Sequence, residues 1–394
     1  MDTVEWDYLY LVACALHKKE PDRQRVALMD LRAIFELSNA HKMKSILSYG
    51  LESVSDTLNS DIWDQWKEAR DRAIQKAILL REEKKRIVAF LETEGIRYLP
   101  LKGILLSELY PKKGMREMSD IDILYDVEKK EQLYQYMISR GYKYYKPKSA
   151  LGHYVEDVYV KSPFYNFEFH TRLFDKELVD KSVAEYYDRL HDHMIKDEGC
   201  EYGYHMTPED EYLYNVAHGY KHYKLYGIGI RFLVDVYLML RNHTLDMEYI
   251  RHESGLMGIQ QFETAIRSLS EKLFSVNEID KDSLSSEELS MLDYVFKSGV
   301  YGNQNNRIVN RLEAFQESRG KKQSLGATVA YFWRRLFPSD EYMKFYSPQV
   351  SKHPWMMPAF YVQRLFKALV YKRKKITKEL DYMFKETSRK GDDT

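Results

Sequence analysis

The sequence predicts an α+β protein, a small mixed sheet with helices at about residues 95–175, embedded in mostly helical N- and C-terminal regions. Three observations predict it. Apolar residues recur at helical spacing from Ile62 to Leu91. Short β-branched and aromatic segments, punctuated by Gly and Pro, crowd between Ile96 and Thr171. Helical spacing returns from about Leu178. The chain therefore divides into residues 1–94, 95–175 and 176–394.

Taken in order, Leu9, Val12, Ala13 and Leu16 fall on one helical face near the N-terminus. Asn59 and Ser60 can cap a second helix whose apolar series runs Ile62, Trp66, Ala69, Ala73, Ala77 and Leu80, with Gly95 placed to terminate it. Ile96 to Leu101 reads as a strand, Lys102-Gly103 as a turn, and Ile104 to Tyr110 as a brief helix stopped by Pro111. Asp120 to Tyr125 alternates polar and apolar residues and reads as a strand. Val127 to Arg140 is helical and stops at Gly141. Tyr142 to Lys146, His153 to Lys161 and Asn166 to Thr171 read as further strands, the last two a hairpin around Ser162-Pro163. Beyond Leu178, Pro208-Glu209-Asp210 opens a long helix, Ile230 to Leu240 forms another, and Gly302-Asn303 and Lys321-Lys322 mark turns.

Composition excludes several classes. The 394 residues are 44% hydrophobic, enough for a sizeable core. Sixty Lys+Arg balance 60 Asp+Glu, so no global charge favours a nucleic-acid partner, and no basic stripe with interleaved aromatics crosses the strand-rich module. Cys14 and Cys200 are too few for a disulfide framework or a thiolate zinc site, which points to a reducing, cytoplasmic compartment. No signal peptide and no long uncharged apolar run is evident.

The chemistry concentrates at Asp120 and Asp122. Two residues apart on a strand, they share one face while Ile121 and Ile123 share the other. Same-face carboxylates roughly 6–7 Å apart repel unless a cation lies between them, and hard cations such as Mg²⁺ or Mn²⁺ take such oxygen ligands. Alone, the pair is weak evidence, and such a pair more often merely ends a solvated edge strand. Phe167-Glu168-Phe169-His170 repeats the pattern and offers a third carboxylate, Glu168, while Lys102-Gly103 and Arg116 supply cations and a close backbone approach suited to phosphates.

The string Leu101-Lys102-Gly103, Leu109-Tyr110-Pro111, Arg116, Ser119-Asp120-Ile121-Asp122-Ile123-Leu124 and Glu168-Phe169-His170 resembles a poorly characterised nucleotidyltransferase family of the DNA polymerase β superfamily. The similarity continues through His218, His222, Gly229-Ile230-Arg231 and Asp235. It implies a polymerase β-like module and transfer of an NMP from an NTP, with loss of pyrophosphate, to a hydroxyl or phosphate acceptor. It implies Asp120, Asp122 and Glu168 as catalytic metal ligands for Mg²⁺ or Mn²⁺, with Lys102, Gly103, Arg116 and Ser119 at the nucleotide. The superfamily commonly has Gly-Ser where this chain has Gly103-Ile104, so Lys102 stands in for the missing hydroxyl.

Acceptor choice is not legible; a small molecule, a sugar phosphate, a protein side chain and a tRNA end all fit, with residues 176–394 the candidate region for binding it. A non-catalytic nucleotide- or partner-binding protein on the same fold is the rival reading, although a lapsed enzyme would be expected to have lost at least one carboxylate. His170 shares the Glu168 face as a packing or cleft residue. His218 and His222, four apart, have the spacing of a zinc pair without an apparent third ligand, or with Arg231 contact substrate; Asp235 is spaced to pair with Arg231. Trp355 to Tyr371 and the following Lys372 to Lys375 read as a terminal helix with a cationic end, or as an interfacial or anion-binding segment.

Overall fold

The computed structural model describes residues 1–145, 156–174, 179–189, 194–275 and 279–299. Residues 223–227 group with a second unit whose remaining residues lie outside those ranges; all the others described form one compact unit. The N-terminal region is helical: α1 (Thr3–His17), α2 (Arg23–Leu28), α3 (Leu31–His41), α4 (Lys44–Leu51) and α5 (Ser60–Thr93). The spacing in α1 suggested one apolar face, yet every residue from Trp6 to Leu16 is buried, because α1 is enclosed by α3, α4 and a later helix over Gln260–Phe274. α5 starts at the expected cap, where the Asn59 side chain accepts the Asp61 N–H, and gives way to Gly95 at φ +67°.

The strands are β1 (Tyr98–Leu101), β2 (Ile121–Tyr125), β3 (Lys143–Tyr145), β4 (Glu156–Lys161) and β5 (Tyr165–His170), in the order β1-β2-β5-β4-β3. Only the β2–β5 pair is parallel, so the sheet is mixed. The expected hairpin joins β4 to β5. One face is core: Ile121, Ile123, Phe167 and Phe169 cluster with Leu80, Ile87 and Leu91 of α5 and with Leu133 and Met137 of α7 (Lys130–Ser139), which occurs, as α6 (Gly103–Leu106) does, between strands. Burying that face forces the alternate residues, acidic ones included, onto the other.

One expectation needs correction. The helix after Lys102 is a single turn, α6, rather than a run to Tyr110. Beyond Leu106 the chain tightens into three-residue turns, with Glu108 N–H on the Leu105 carbonyl, and Tyr110 turns inward to a buried partner. The region after Leu178 is mostly helical, as expected, with one short hairpin added. After α8 (Lys181–Tyr187) comes a hairpin of β6 (Met194–Lys196) and β7 (Tyr204–Met206), each too short to show alternation. It leans on β1, with Tyr98 N–H bonded to the Tyr202 carbonyl, and Gly203 is required because a Cβ there would lie 2.7 Å from the Tyr98 hydroxyl. Helices resume with α9 (Pro208–Leu225), opened by Pro208 as expected, then α10 (Ile230–Asn242), α11 (Met247–Leu256), α12 (Gln260–Phe274) and α13 (Ser286–Ser298). The turns at Gly302-Asn303 and Lys321-Lys322, and the Trp355 to Lys375 segment, lie outside the described residues. Among those described, no helix is long and apolar enough to cross a membrane.

Candidate active site

The parallel register seats Glu168 of β5 directly opposite Asp122 of β2, with His170 opposite Leu124 on the same face. Asp120 immediately precedes β2. One ligand atom from each of Asp122, Glu168 and His170 can be chosen so that all lie within 4.8 Å of one another, and this is the one such group among the described residues. Asp120 stands just outside that closest set but is electrostatically coupled to Asp122. The His170 ring places Nε2 2.7 Å from Asp122 Oδ1, while Nδ1 lies 3.7 Å from Glu156 Oε2 on the neighbouring strand. Asn166 donates to Glu168 Oε1 at 3.3 Å.

The charges are crowded. Burial, then Asp122, raises the Asp120 carboxyl above its ordinary range. Burial, then Asp122, Asp120 and Glu156, pushes Glu168 up to about 8. Asp122 is the exception: burial opposes ionisation, but Lys102 and then His170 hold it well below the usual carboxylate range. Lys102 offsets only part of this negative charge, so Asp120 and Glu168 remain destabilised as anions. The cluster's oxygen donors and one imidazole suit a divalent ion, so the residues present fit the metal that the fold implies.

Lys102 Nζ lies 3.6 Å from Asp122 Oδ1. Its backbone, at φ +49°, ψ −120°, is unusual for a side-chain-bearing residue and turns the chain sharply from β1 into α6. Gly103 comes next, where a Cβ would crowd two side chains, Arg116 Nη1 at 2.9 Å and Met118 Cε at 3.3 Å. Arg116 forms a buried two-pronged ion pair with Asp235 of α10, Nε to Oδ1 at 2.8 Å and Nη2 to Oδ2 at 2.9 Å, and Tyr110 donates to Oδ1 at 2.8 Å. The spacing suggested Arg231 as the partner of Asp235. Arg116, 119 positions away in sequence, takes that place, and Arg231 donates to the Glu117 carbonyl at 2.8 Å while remaining near Asp120. Ser119, half-buried, leads directly into Asp120.

α9 brings His218 and His222 towards the same region, their Nε2 atoms 3.2 Å apart. Burial, followed by Lys102 for His218 and Lys221 for His222, depresses both, His222 to about 3, so both rings are neutral at neutral pH. No third zinc ligand joins them among the described residues. Sequence reasoning missed Tyr214, one turn before His218, whose ring centroid is 5.7 Å from Lys102 Nζ; its place on the His218–His222 face was a usable signal. It also missed Glu156, brought to His170 by strand pairing, and Lys76 of α5, whose ammonium is coupled to Asp120. Neither carried a local signal.

A family model described as an uncharacterised nucleotidyltransferase matches residues 28–275, well over half of the chain. The chain belongs to this nucleotidyltransferase family. No curated relative matches it. The matched span of the nucleotidyltransferase runs from the end of α2 into the residue after α12, taking in the whole sheet, the Lys102 turn, the carboxylate face and the Arg116–Asp235 pair.

Proposed function

We propose that the protein is a metal-dependent nucleotidyltransferase that moves an NMP from an NTP to a hydroxyl or phosphate acceptor and releases pyrophosphate. The observation that carries this reading is the parallel β2–β5 register, which sets Glu168 beside Asp122 on a face shared with Asp120. Asp120, Asp122 and Glu168 would hold the divalent ions, with His170 fixing Asp122 from the side. Bound Mg²⁺ or Mn²⁺ would screen the triphosphate and acidify the acceptor.

The chain's own groups do the rest. Lys102 draws the polyphosphate to the turn before Gly103, whose missing Cβ leaves room for the Arg116 guanidinium, and Ser119 and Arg116 border the same space. Glu168 takes the acceptor's proton as the acceptor oxygen bonds to the α-phosphorus. The bond from that phosphorus to the bridging oxygen breaks, and pyrophosphate leaves with the electron pair. His218, His222 and Arg231 line the side towards α9 and α10. A binding protein that has lost catalysis is the second reading, and the intact carboxylate set argues against it.

The test is to incubate the purified protein with each α-labelled NTP and Mg²⁺ or Mn²⁺, alone and with cell extract, and to trace the label. Transfer that requires the metal and disappears in Asp122→Asn supports the reading. Undiminished transfer in Asp122→Asn would overturn the assignment of Asp122 to the metal.

A further inference from the structure

The site described above already contains a cation. Lys102 Nζ is 3.6 Å from Asp122 Oδ1, its side chain is only 15% exposed, the Tyr214 ring centroid lies 5.7 Å away, and the carboxylates of Asp120 and Glu168 also act on it. A lysine ammonium thus stands among the carboxylates that would ligate a divalent ion. It is held there by a backbone at φ +49°, a conformation that costs a non-glycine residue on the order of 1 kcal/mol and that glycine would adopt freely. The turn has a lysine where its geometry favours glycine, so the side chain has a use that outweighs the strain.

We propose that Lys102 is the resident counter-cation of the carboxylate set, and that a polyphosphate must draw its ammonium away before a divalent ion is held tightly. This rests on the nucleotidyltransferase reading and extends it to the order and coupling of binding. A +1 ammonium and a +2 ion placed against the same carboxylates repel each other, so each weakens the other's hold. A triphosphate offers Lys102 an alternative anion next to Gly103, which clears the carboxylates. By linkage, the factor by which polyphosphate strengthens metal binding equals the factor by which metal strengthens polyphosphate binding. The protein would therefore leave metal largely unbound until nucleotide arrives.

Calorimetry on the full chain tests this without turnover. The probes are Mn²⁺ alone and the preformed complex of Mn²⁺ with inorganic tripolyphosphate, which removes any dependence on base. Wild type should bind Mn²⁺ alone weakly, and Lys102→Met should bind it at least about tenfold more tightly, because the competing charge is gone. Towards the Mn²⁺–tripolyphosphate complex the order should reverse. Lys102→Arg, which keeps the charge, should resemble wild type, and Lys102→Gly, which suits the positive φ, serves as the neutral variant if the methionine form does not fold. Equal or weaker Mn²⁺ binding by a folded neutral variant overturns the counter-cation proposal. Tighter Mn²⁺ binding with unchanged affinity for the complex overturns the hand-over, leaving Lys102 a fixed counter-ion. If no variant, wild type included, binds either probe, the metal-dependent reading itself fails.

Discussion

Removing the Asp235 carboxylate should destabilise the protein by about 3–5 kcal/mol, because it would strand a buried arginine beside a second one. The magnitude follows from the geometry. Asp235 accepts two Arg116 N–H groups at 2.8 and 2.9 Å and the Tyr110 hydroxyl at 2.8 Å, and the side chains of Arg116 and Asp235 are only 9% and 4% exposed. With the charges about 4 Å apart and an effective dielectric constant near 20, the attraction is about 4 kcal/mol. Asp235→Asn keeps the shape, deletes that attraction and turns an amide donor towards guanidinium donors. Arg231, whose positive charge also faces Asp235, adds to the uncompensated charge. The assay is urea denaturation of wild type, Asp235→Asn, Arg116→Met and the double variant Arg116→Met/Asp235→Leu, compared at equal m-values. The double variant should recover a large part of the loss, as apolar replacements of buried ion pairs commonly do. A loss below about 1 kcal/mol in Asp235→Asn, or additive losses in the double variant, would refute the reasoning.

Three further outcomes are expected. Glu168→Gln should bind nucleotide nearly as wild type does yet lower single-turnover transfer by roughly 10²-fold or more, and wild-type rates would remove Glu168 from the site. His41 is buried, its Nδ1 accepts the Ile230 N–H at 3.2 Å, and burial depresses its pKa to about 4 from an ordinary 6.5. The unfolded chain therefore binds an extra proton between those values, so this stability is present above pH 6.5 and is lost as pH falls towards 4, by about 3 kcal/mol. Urea midpoints at pH 7 and 4.5 should converge less steeply in His41→Gln than in wild type, and parallel lines would exclude His41 as the cause. Gly103→Ala should disturb the Arg116 guanidinium, which a new Cβ would approach to 2.9 Å, and so weaken polyphosphate binding several-fold at little cost in folding; unchanged affinity counts against the close approach at that turn.

Features with a local period were legible in the sequence. The two-residue alternation around Asp120 and Asp122 placed carboxylates and core on opposite faces, and the Asn59 cap and Gly95 bounded α5, because those signals reside in neighbouring residues. Pairings across the chain were not. That Glu168 sits opposite Asp122 depends on β5 inserting beside β2 in parallel, with β3 and β4 beyond it, and no periodicity encodes that order. The i,i+4 spacing of Arg231 and Asp235 suggested a local pair, but tertiary packing delivered Arg116 with a better-aligned fork. β6 and β7, three residues each, are held by long-range contacts with β1 and with Glu92, which accepts the Glu201 N–H at 2.9 Å.

α5, 34 residues and about 50 Å long, backs the core face of the sheet with its C-terminal half and packs on α4. Near its middle, Gly114 presses so closely that a Cβ would lie 2.9 Å from the backbone nitrogen of Ile74. The loop that runs from Gly114 through Arg116 to Asp120 is thus seated on the main chain and the first side-chain carbons of Ile74. Substitutions at the exposed positions around Ile74 should be widely tolerated, whereas an inserted or deleted residue in that stretch would rotate and shift the seat. Spacing along the middle of α5, more than the identity of its residues, is what sets where the loop before Asp120 comes to rest.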